Sequence, residues 1–193
     1  MPTPARTSLE EIVSTGRGLL ESEGVDGLTM QKVAAKVGVR APSLYKHLDG
    51  RPELIRLIIE SVVADLGVTL ESAVGGEDPR RDLAELAWTF RKFAHSQPES
   101  YRLIFAAMPD EWRPSPAVML EAVDAVLRTS SALVGSERAL EGARLLTAWA
   151  HGFMMMELAG AFRMEGDVDE AFAFGLEQLT VALAGARKPN QTD

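Results

Sequence analysis

The sequence predicts an all-α protein of about nine helices, a small three-helix domain followed by a larger helical one. Three features carry that prediction. Apolar residues recur at three- and four-residue spacing in nearly every segment. The segments are bounded in the way helices are, with Ser, Thr or Asp ahead of an apolar run, Gly behind it and Pro in a first turn. No segment shows the period-two alternation of a half-buried strand, and no internal repeat is visible.

Residues 1–7 are Pro-rich and read as loose chain. Ser8-Leu9-Glu10-Glu11 is a capping box that opens the first helix, in which Leu9, Ile12, Val13, Leu19 and Leu20 form the apolar face. Gly24 ends it, and Val25-Asp26-Gly27 is the link. Thr29 is an N-cap residue for the second helix, because its hydroxyl can accept from a free N–H of the first turn. Leu28 and Val33 sit at the two positions of a hydrophobic staple. Met30, Val33, Ala34 and Val37 give one buried face. Gly38 suits the left-handed residue just past the helix end, and Val39 plugs the turn into the core. Pro42 is placed at the first position of a third helix, where its missing N–H costs nothing. Leu44 and Leu48 face inward, Ser43, Tyr45, Lys46 and His47 face elsewhere, and Asp49-Gly50 breaks the helix. The fourth helix runs from about Pro52 to Ala73, with Leu54, Leu57, Ile58, Ser61, Val62 and Leu66 along one side.

Gly75-Gly76 is the first clear linker, and five more helices follow. The fifth starts after Asp78-Pro79 and ends near His95. The sixth starts at Pro98 and ends before Pro109. A Pro-rich loop from Pro109 to Pro116 carries Trp112. The seventh runs from Pro116 to about Val134. The eighth is capped by Ser136 and reaches about Met164. Asp167, with Glu170 at N3, is a second capping box and opens the ninth, which runs to about Ala186. The tail from Lys188 reads as frayed. The expected domains are residues 8–54, linked through the fourth helix (52–73), and residues 78–186.

The 193 residues contain no Cys, which removes disulfides and thiolate metal sites and suits a reducing cytoplasm. The opening segment has no apolar core of a secretory signal, and no run approaches the length of a membrane span, so a cytoplasmic protein with no membrane partner is expected. Net charge is −8, which at first opposes nucleic-acid binding. Its distribution decides otherwise. Residues 1–60 hold eight Lys/Arg and eight Asp/Glu, whereas residues 61–193 hold twelve and twenty. Within residues 29–51, Lys32, Lys36, Arg40, Lys46 and Arg51 oppose a single acid, Asp49. That local basic patch is the footprint that matters for phosphate contact, and the acidic remainder belongs away from DNA.

Two helices joined by a short Gly-containing turn form the helix-turn-helix pattern, in which the second helix enters the DNA major groove. Residues 8–70 resemble the DNA-binding domain of the TetR family of transcriptional repressors. The matching signature is Gly27-Leu28-Thr29, Val33-Ala34, Val37-Gly38-Val39 and Leu44-Tyr45-Lys46-His47, and it continues into Arg51 and Glu53-Leu54. The resemblance implies phosphate contacts from Thr29, Tyr45, His47 and Arg51. It places Gln31, Ala41, Pro42, Ser43 and Lys46 near bases. The chemistry agrees: hydroxyls at a helix N-terminus and cations suit phosphate, Gln suits adenine, Lys suits guanine, and small apolar groups suit a thymine methyl. For Tyr45 the alternative is partial core packing with its hydroxyl exposed, and Lys32 and Lys36 are read as a solvated face. Small residues at Ala41 and Ser43 leave little direct base readout.

The stretch LLTAWAHGFMMMELAGAF, ending at Phe162, is apolar nearly all round, so the eighth helix is buried on most sides. Core or subunit interface is the default reading. A ligand wall with adaptable Met side chains is the other. Trp149 to Gly152, a Trp-x-His-Gly pattern, resembles a C-terminal domain type found in part of the same family, over roughly residues 83–185. That resemblance implies a homodimer built from the last two helices, and the ninth offers alternating large and small residues (Ala171, Phe172, Gly175, Leu176, Leu179, Ala182, Leu183). It also implies a small-molecule effector, identity open. Aromatic and Met walls with one or two polar groups suit such a site, which makes Trp88, Phe93, Tyr101, Phe105, Met108, Met119, Trp149, His151 and Met155 the candidate lining. His151 is equally well read as a satisfied core histidine.

The expected function is therefore a ligand-responsive, homodimeric repressor of a palindromic double-stranded DNA operator, with the fourth helix as the lever between the domains. A regulator with no small-molecule effector, showing a filled core beside Trp149 and His151, is the first alternative. An enzyme on the same fold is the second. No catalytic residue, cofactor or metal is expected. The Gly-x-Ser-x-Gly, P-loop and His-Glu-x-x-His patterns are missing, and His47, His95 and His151 lack metal-ligand spacing.

Overall fold

The computed structural model describes residues 7–186. The sequence expectations for the N-terminal stretch before residue 7 and for the C-terminal tail from 187 lie outside the described residues. Among those described there are nine α-helices, two 3₁₀ turns (Asp110–Trp112 and Ser136–Arg138) and no strand. The helices are α1 (Leu9–Gly27), α2 (Met30–Val37), α3 (Ala41–Leu44), α4 (Arg51–Ala73), α5 (Pro79–Ser96), α6 (Pro98–Phe105), α7 (Pro116–Val134), α8 (Ala139–Leu158) and α9 (Val168–Gly185). They fall into two compact units. The first holds the described residues up to Asp65 together with Gln97–Met119. The second holds Leu66–Ser96 and the described residues from Leu120 onward.

The first unit is built on Ile12, Leu19, Leu20, Leu28, Val33, Leu44, Leu54, Ile55 and Ile58, all essentially inaccessible to water. The local chemistry that makes its helices is the chemistry read from the sequence. Ser8 Oγ accepts from Glu11 N at 3.1 Å, and Thr29 Oγ1 accepts from Lys32 N at 3.3 Å. Gly38 ends α2 at φ 81°, where an L side chain is disfavoured, and its N–H returns to Ala34 and Ala35 carbonyls. Gly24 is non-helical at φ 71° and kinks α1, so Val25–Gly27 is one displaced turn rather than a continuation.

Two expectations shift here. Helix α3 begins at Ala41 rather than Pro42, and its regular part ends at Leu44. From there the chain tightens, with His47 N bonded to Leu44 O at 2.9 Å, so Tyr45, Lys46 and His47 stand on a turn. The expected break at residue 78 also differs from the observed division, because α6 belongs with α1. Glu21 on α1 accepts from Glu99 N (3.2 Å) and Ser100 N (2.7 Å), capping α6 from outside. Arg17 donates to Ser61 Oγ (3.0 Å) and Gln97 Oε1 (3.1 Å) and pairs with Asp65. Ties of this kind across about 80 residues leave no local trace in sequence.

The second unit is organised around Phe172, which has 0% exposure and packs with Leu83, Ala87, Leu133, Val134, Leu146, Leu176 and Leu183. Its entry is fixed by Asp82, whose carboxylate accepts from Gly75 N (2.9 Å) and Gly76 N (2.8 Å). Asp167 caps α9 through Asp169 N and Glu170 N, as its sequence position indicates. Ser136 does not cap α8: residues 136–138 form a 3₁₀ turn, and the helix starts at Ala139 without a side-chain cap. Nor does α8 reach Met164. Gly160, at φ 63°, closes it at Leu158, with Gly160 N bonded to Glu157 O and Ala161 N to Met156 O, both at 2.9 Å.

Candidate nucleic-acid interface

Helices α2 and α3 bury Met30, Val33, Ala34 and Leu44 and leave their opposite side to solvent. Gln31, Lys32, Lys36, Arg40, Pro42, Tyr45, Lys46 and His47 are all exposed there, Tyr45 at 56%. Ala41 and Ser43 are half-buried beneath them, and Thr29 is half-buried at the α2 N-terminus. Tyr45 is therefore an outward group and not a partly packed one. Its phenol, the Thr29 hydroxyl and the neighbouring cations present the donor set that phosphate oxygens take.

The five basic residues of this segment do not behave alike. Lys32 pairs with Glu23. Among the described residues, Lys36, Arg40 and Lys46 form no ion pair. Arg51, expected at phosphate, is turned into the protein. Its Nε donates to Leu28 O at 2.7 Å and its Nη2 to Val25 O at 2.6 Å, and its guanidinium lies 5.7 Å from the centre of the Trp112 ring. The physical reason is that the turn after Gly24 leaves carbonyls at the end of α1 in need of donors, and Arg51 reaches them. Glu53 is engaged locally, accepting from Asp49 N and pairing with Arg56 at 3.2 Å.

The nine candidate effector residues divide between the two units. In the first, Tyr101 is fully buried, its ring centre 5.1 Å from that of Phe105, and burial pushes its phenol well above the ordinary tyrosine range. Phe105 and Met119 are exposed and Met108 is half-buried. In the second, Trp88 and Trp149 meet through Phe172: Trp88 is edge-on to it at 4.9 Å, and Trp149 is stacked on it at 5.0 Å. Trp149 also lies so close to α9 that a Cβ added at Gly175 would sit 2.5 Å from its Cζ2. Both tryptophans thus pack on Phe172, Trp149 beside Phe153, while Trp88 stays 36% exposed. Phe93 is buried and Met155 exposed. His151 is half-buried, and desolvation pushes its imidazole below the ordinary value, towards the neutral form. A small apolar groove of about 170 Å³ opens elsewhere, between Val134, Arg138, Gly142, Leu145, Leu183 and their neighbours. It is smaller than a drug-sized site of roughly 300–1,000 Å³.

A charged cluster in the second unit escaped the sequence reading. Arg91, only 7% exposed, donates to both oxygens of Glu157 (2.9 and 2.5 Å) and to Asp169 (2.6 Å). Its guanidinium lies 5.1 Å from the Trp88 ring centre and 5.0 Å from that of Phe172. His95 Nε2 adds a 3.0 Å contact to Glu157. The hydrogen bonds from Arg91 hold the Glu157 carboxyl below the usual carboxylate range, against the opposing effect of burial. A signal was present. Arg91 stands on the apolar stripe of α5 (Leu83, Ala87, Ala94), and Glu157 is the lone formal charge in the apolar stretch from Leu145 to Phe162.

The outward apolar residues of the last two helices also differ from the expected set. Phe172, Leu176 and Leu183 face the core. Phe174 (65%) and Val181 (56%) face out, beside exposed Ala182 and Gly185; on α8, Leu145, Ala148, Gly152 and Met156 do the same.

Comparison with known proteins finds matches along most of the chain. Residues 6–58 match the family model for bacterial regulatory proteins of the tetR family, and residues 83–179 match the model for a tetracycline-repressor-like C-terminal domain. An uncharacterised HTH-type transcriptional regulator of Mycobacterium tuberculosis is 31% identical over 189 residues, covering 96% of this chain and 84% of that one. The class E tetracycline repressor of Escherichia coli is 31% identical over 105 residues, 54% of this chain and 49% of its own. Among solved structures, a protein of unknown function from Rhodococcus superposes with a TM-score of 0.79 at 23% identity, over 95% of this chain and all of that one. A TetR variant from Acinetobacter baumannii, in complex with minocycline, has a TM-score of 0.72 at 24% identity with the same coverage. No helix among the described residues is long and apolar enough to cross a membrane. Two matched domain models, a near-full-length relative and an exposed basic helix-turn-helix together establish that the chain belongs to the TetR family of DNA-binding transcriptional regulators.

Proposed function

We propose that this chain is a homodimeric repressor that holds a palindromic operator and releases it when a small apolar or amphipathic effector binds. The observation that carries the DNA half is the solvent face of α2 and α3, where Lys36, Arg40 and Lys46 are exposed beside Tyr45 and His47 and form no ion pair among the described residues. In this reading Thr29, Tyr45 and His47 contact phosphates, while Gln31, Ala41, Pro42, Ser43 and Lys46 lie near bases. Arg51 drops out of the phosphate set. With small residues at the tip of α3, selectivity leans on DNA shape and on the spacing of two half-sites about 34–36 Å apart.

The dimer is supported by the exposed apolar stripes on α8 and α9, since contiguous outward Phe, Val, Leu and Met favour a partner surface. Effector release follows linkage: a ligand weakens operator binding only as far as it prefers the state that DNA does not. The partial relative named as a tetracycline repressor supports that class of behaviour. One observation favours a second reading, a regulator with no small-molecule effector: the space beside Trp149 is occupied by Phe172 and the α9 backbone at Gly175. The test is direct. Wild-type protein should enrich a palindromic sequence from a random duplex pool and bind it as a dimer by light scattering. A monomer, or a pool that stays unenriched, would reject the proposal.

A further inference from the structure

We infer that Trp112 is a positioning residue for DNA binding: its ring, set against Arg51, locks the turn that aims the helix-turn-helix. The inference rests on the DNA-binding reading above.

Arg51 is the first residue of α4, and through Leu28 O and Val25 O it bridges the turn between the Gly24 kink and the α2 cap, Thr29. Within that turn Leu28 N donates to Val25 O at 3.3 Å. Its direction sets where the α2 N-terminus and Thr29 point. The Arg51 guanidinium has little freedom to leave, because the Trp112 ring faces it at 5.7 Å. An aromatic face attracts and orients a guanidinium plane.

The loop that carries Trp112 is also tied to α4. Ser115 N donates to Glu60 Oε1 at 2.9 Å, and Glu60 is in turn held by Arg56 at 3.1 Å. The indole Nε1 is buried and has no hydrogen-bond partner among the described residues. The ring is therefore held by its face and its packing, with no polar anchor of its own. The arrangement is a relay of three contacts: Trp112 steadies Arg51, Arg51 steadies the Val25–Leu28 turn, and the turn sets Thr29 and α2. The operator binds the locked arrangement, so Arg51 acts on DNA from inside and not through a phosphate.

Salt dependence separates the two roles. A phosphate contact releases counterions, so removing one lowers the slope of log affinity against log salt by about 1 per contact. An internal clamp changes affinity and leaves the slope alone. The probe is a fluorescent duplex that the wild-type full-length protein has selected from a random 30-base-pair pool. Trp112→Leu and Arg51→Gln should each weaken binding by roughly 3- to 30-fold, the range of a part-desolvated cation–aromatic contact. Their double variant should be no weaker than Arg51→Gln alone, and every slope should match wild type. Trp112→Phe, which keeps a ring face, should bind within about threefold of wild type. Arg51→Lys keeps the charge but cannot span both carbonyls, so it should weaken binding at unchanged slope; it carries the test if Trp112→Leu fails to fold. A reduced slope in Arg51→Gln, wild-type binding by Trp112→Leu or Arg51→Lys, or multiplying losses in the double variant would overturn the inference. A wild-type protein that selects no duplex would instead reject the DNA-binding reading on which it stands.

Discussion

Replacing Arg91 by Met keeps a side chain of similar reach on α5 but removes the guanidinium that faces Glu157. Glu157 then stays in place with its side chain 14% exposed and without its two bonds from Arg91. Breaking a buried ion pair from one side costs about 3–5 kcal/mol, because the remaining charge is stranded. The Asp169 contact adds little, about 0–1 kcal/mol, since Asp169 is 72% exposed. His95 Nε2, 3.0 Å from Glu157, remains as a partner and offsets part of the loss. The expected cost is therefore about 3 kcal/mol near pH 7. For a chain of this size that lowers the melting temperature by roughly 6–12 °C. Calorimetry or circular dichroism reads it. Removing the stranded charge as well, in Arg91→Met with Glu157→Leu, should restore much of the stability, because two apolar groups replace the pair. A single variant within about 1 kcal/mol of wild type, or a double variant as unstable as the single, would refute the account of the cluster.

Other expectations follow from the same geometry. The wild-type advantage over the Arg91→Met, Glu157→Leu double variant should depend on pH. Because the folded Glu157 carboxyl is held low, its contribution is present above the unfolded value of about 4.3 and is lost as pH falls through the folded pKa. An advantage that grew on acidification would contradict this. Gly175→Ala places a methyl against the Trp149 ring and should cost about 1–3 kcal/mol in urea unfolding, whereas an unchanged midpoint would show that α8 and α9 are not so closely packed. Val181→Glu, on the outward stripe of α9, should yield monomer by light scattering with helicity retained, and an intact dimer would move the interface elsewhere. Thr29→Ala should cost about 1 kcal/mol of stability through the lost cap, and no change would deny Thr29 that role.

Elements with strong local punctuation were legible in the sequence. Pro116 and Gly135 bracket α7, Asp167 opens α9, and the Thr29 cap with the Gly38 turn defines α2. The misreadings arose where local signals compete. The apolar run through Phe162 masks Gly160, whose left-handed turn stops α8 at Leu158. Ser136 looks like a cap, but its neighbours close a 3₁₀ turn.

The site followed a similar rule. Solvent exposure of Tyr45, Lys46 and His47 is set by the neighbouring apolar spacing of Leu44 and Leu48, and so was legible. The fate of Arg51 depends on carbonyls 23 and 26 residues away, at Leu28 and Val25, and that of Arg91 on a carboxylate 66 residues away. A charge on a helix reads as solvated until its partner is seen. The same limit applies to Trp149, whose two readings, core and cavity wall, look alike in sequence until its stacking on Phe172 is seen.

The central claim is that the α2–α3 face binds DNA through phosphates. The salt dependence of binding to a selected duplex measures it most directly. If Arg40 of each of two protomers neutralises a phosphate, log affinity should fall against log salt with a slope of about −2 or steeper. Arg40→Gln, which removes that contact from both protomers, should make the slope shallower by about 2. A slope near zero in the wild type, or one that Arg40→Gln leaves untouched, would contradict the claim.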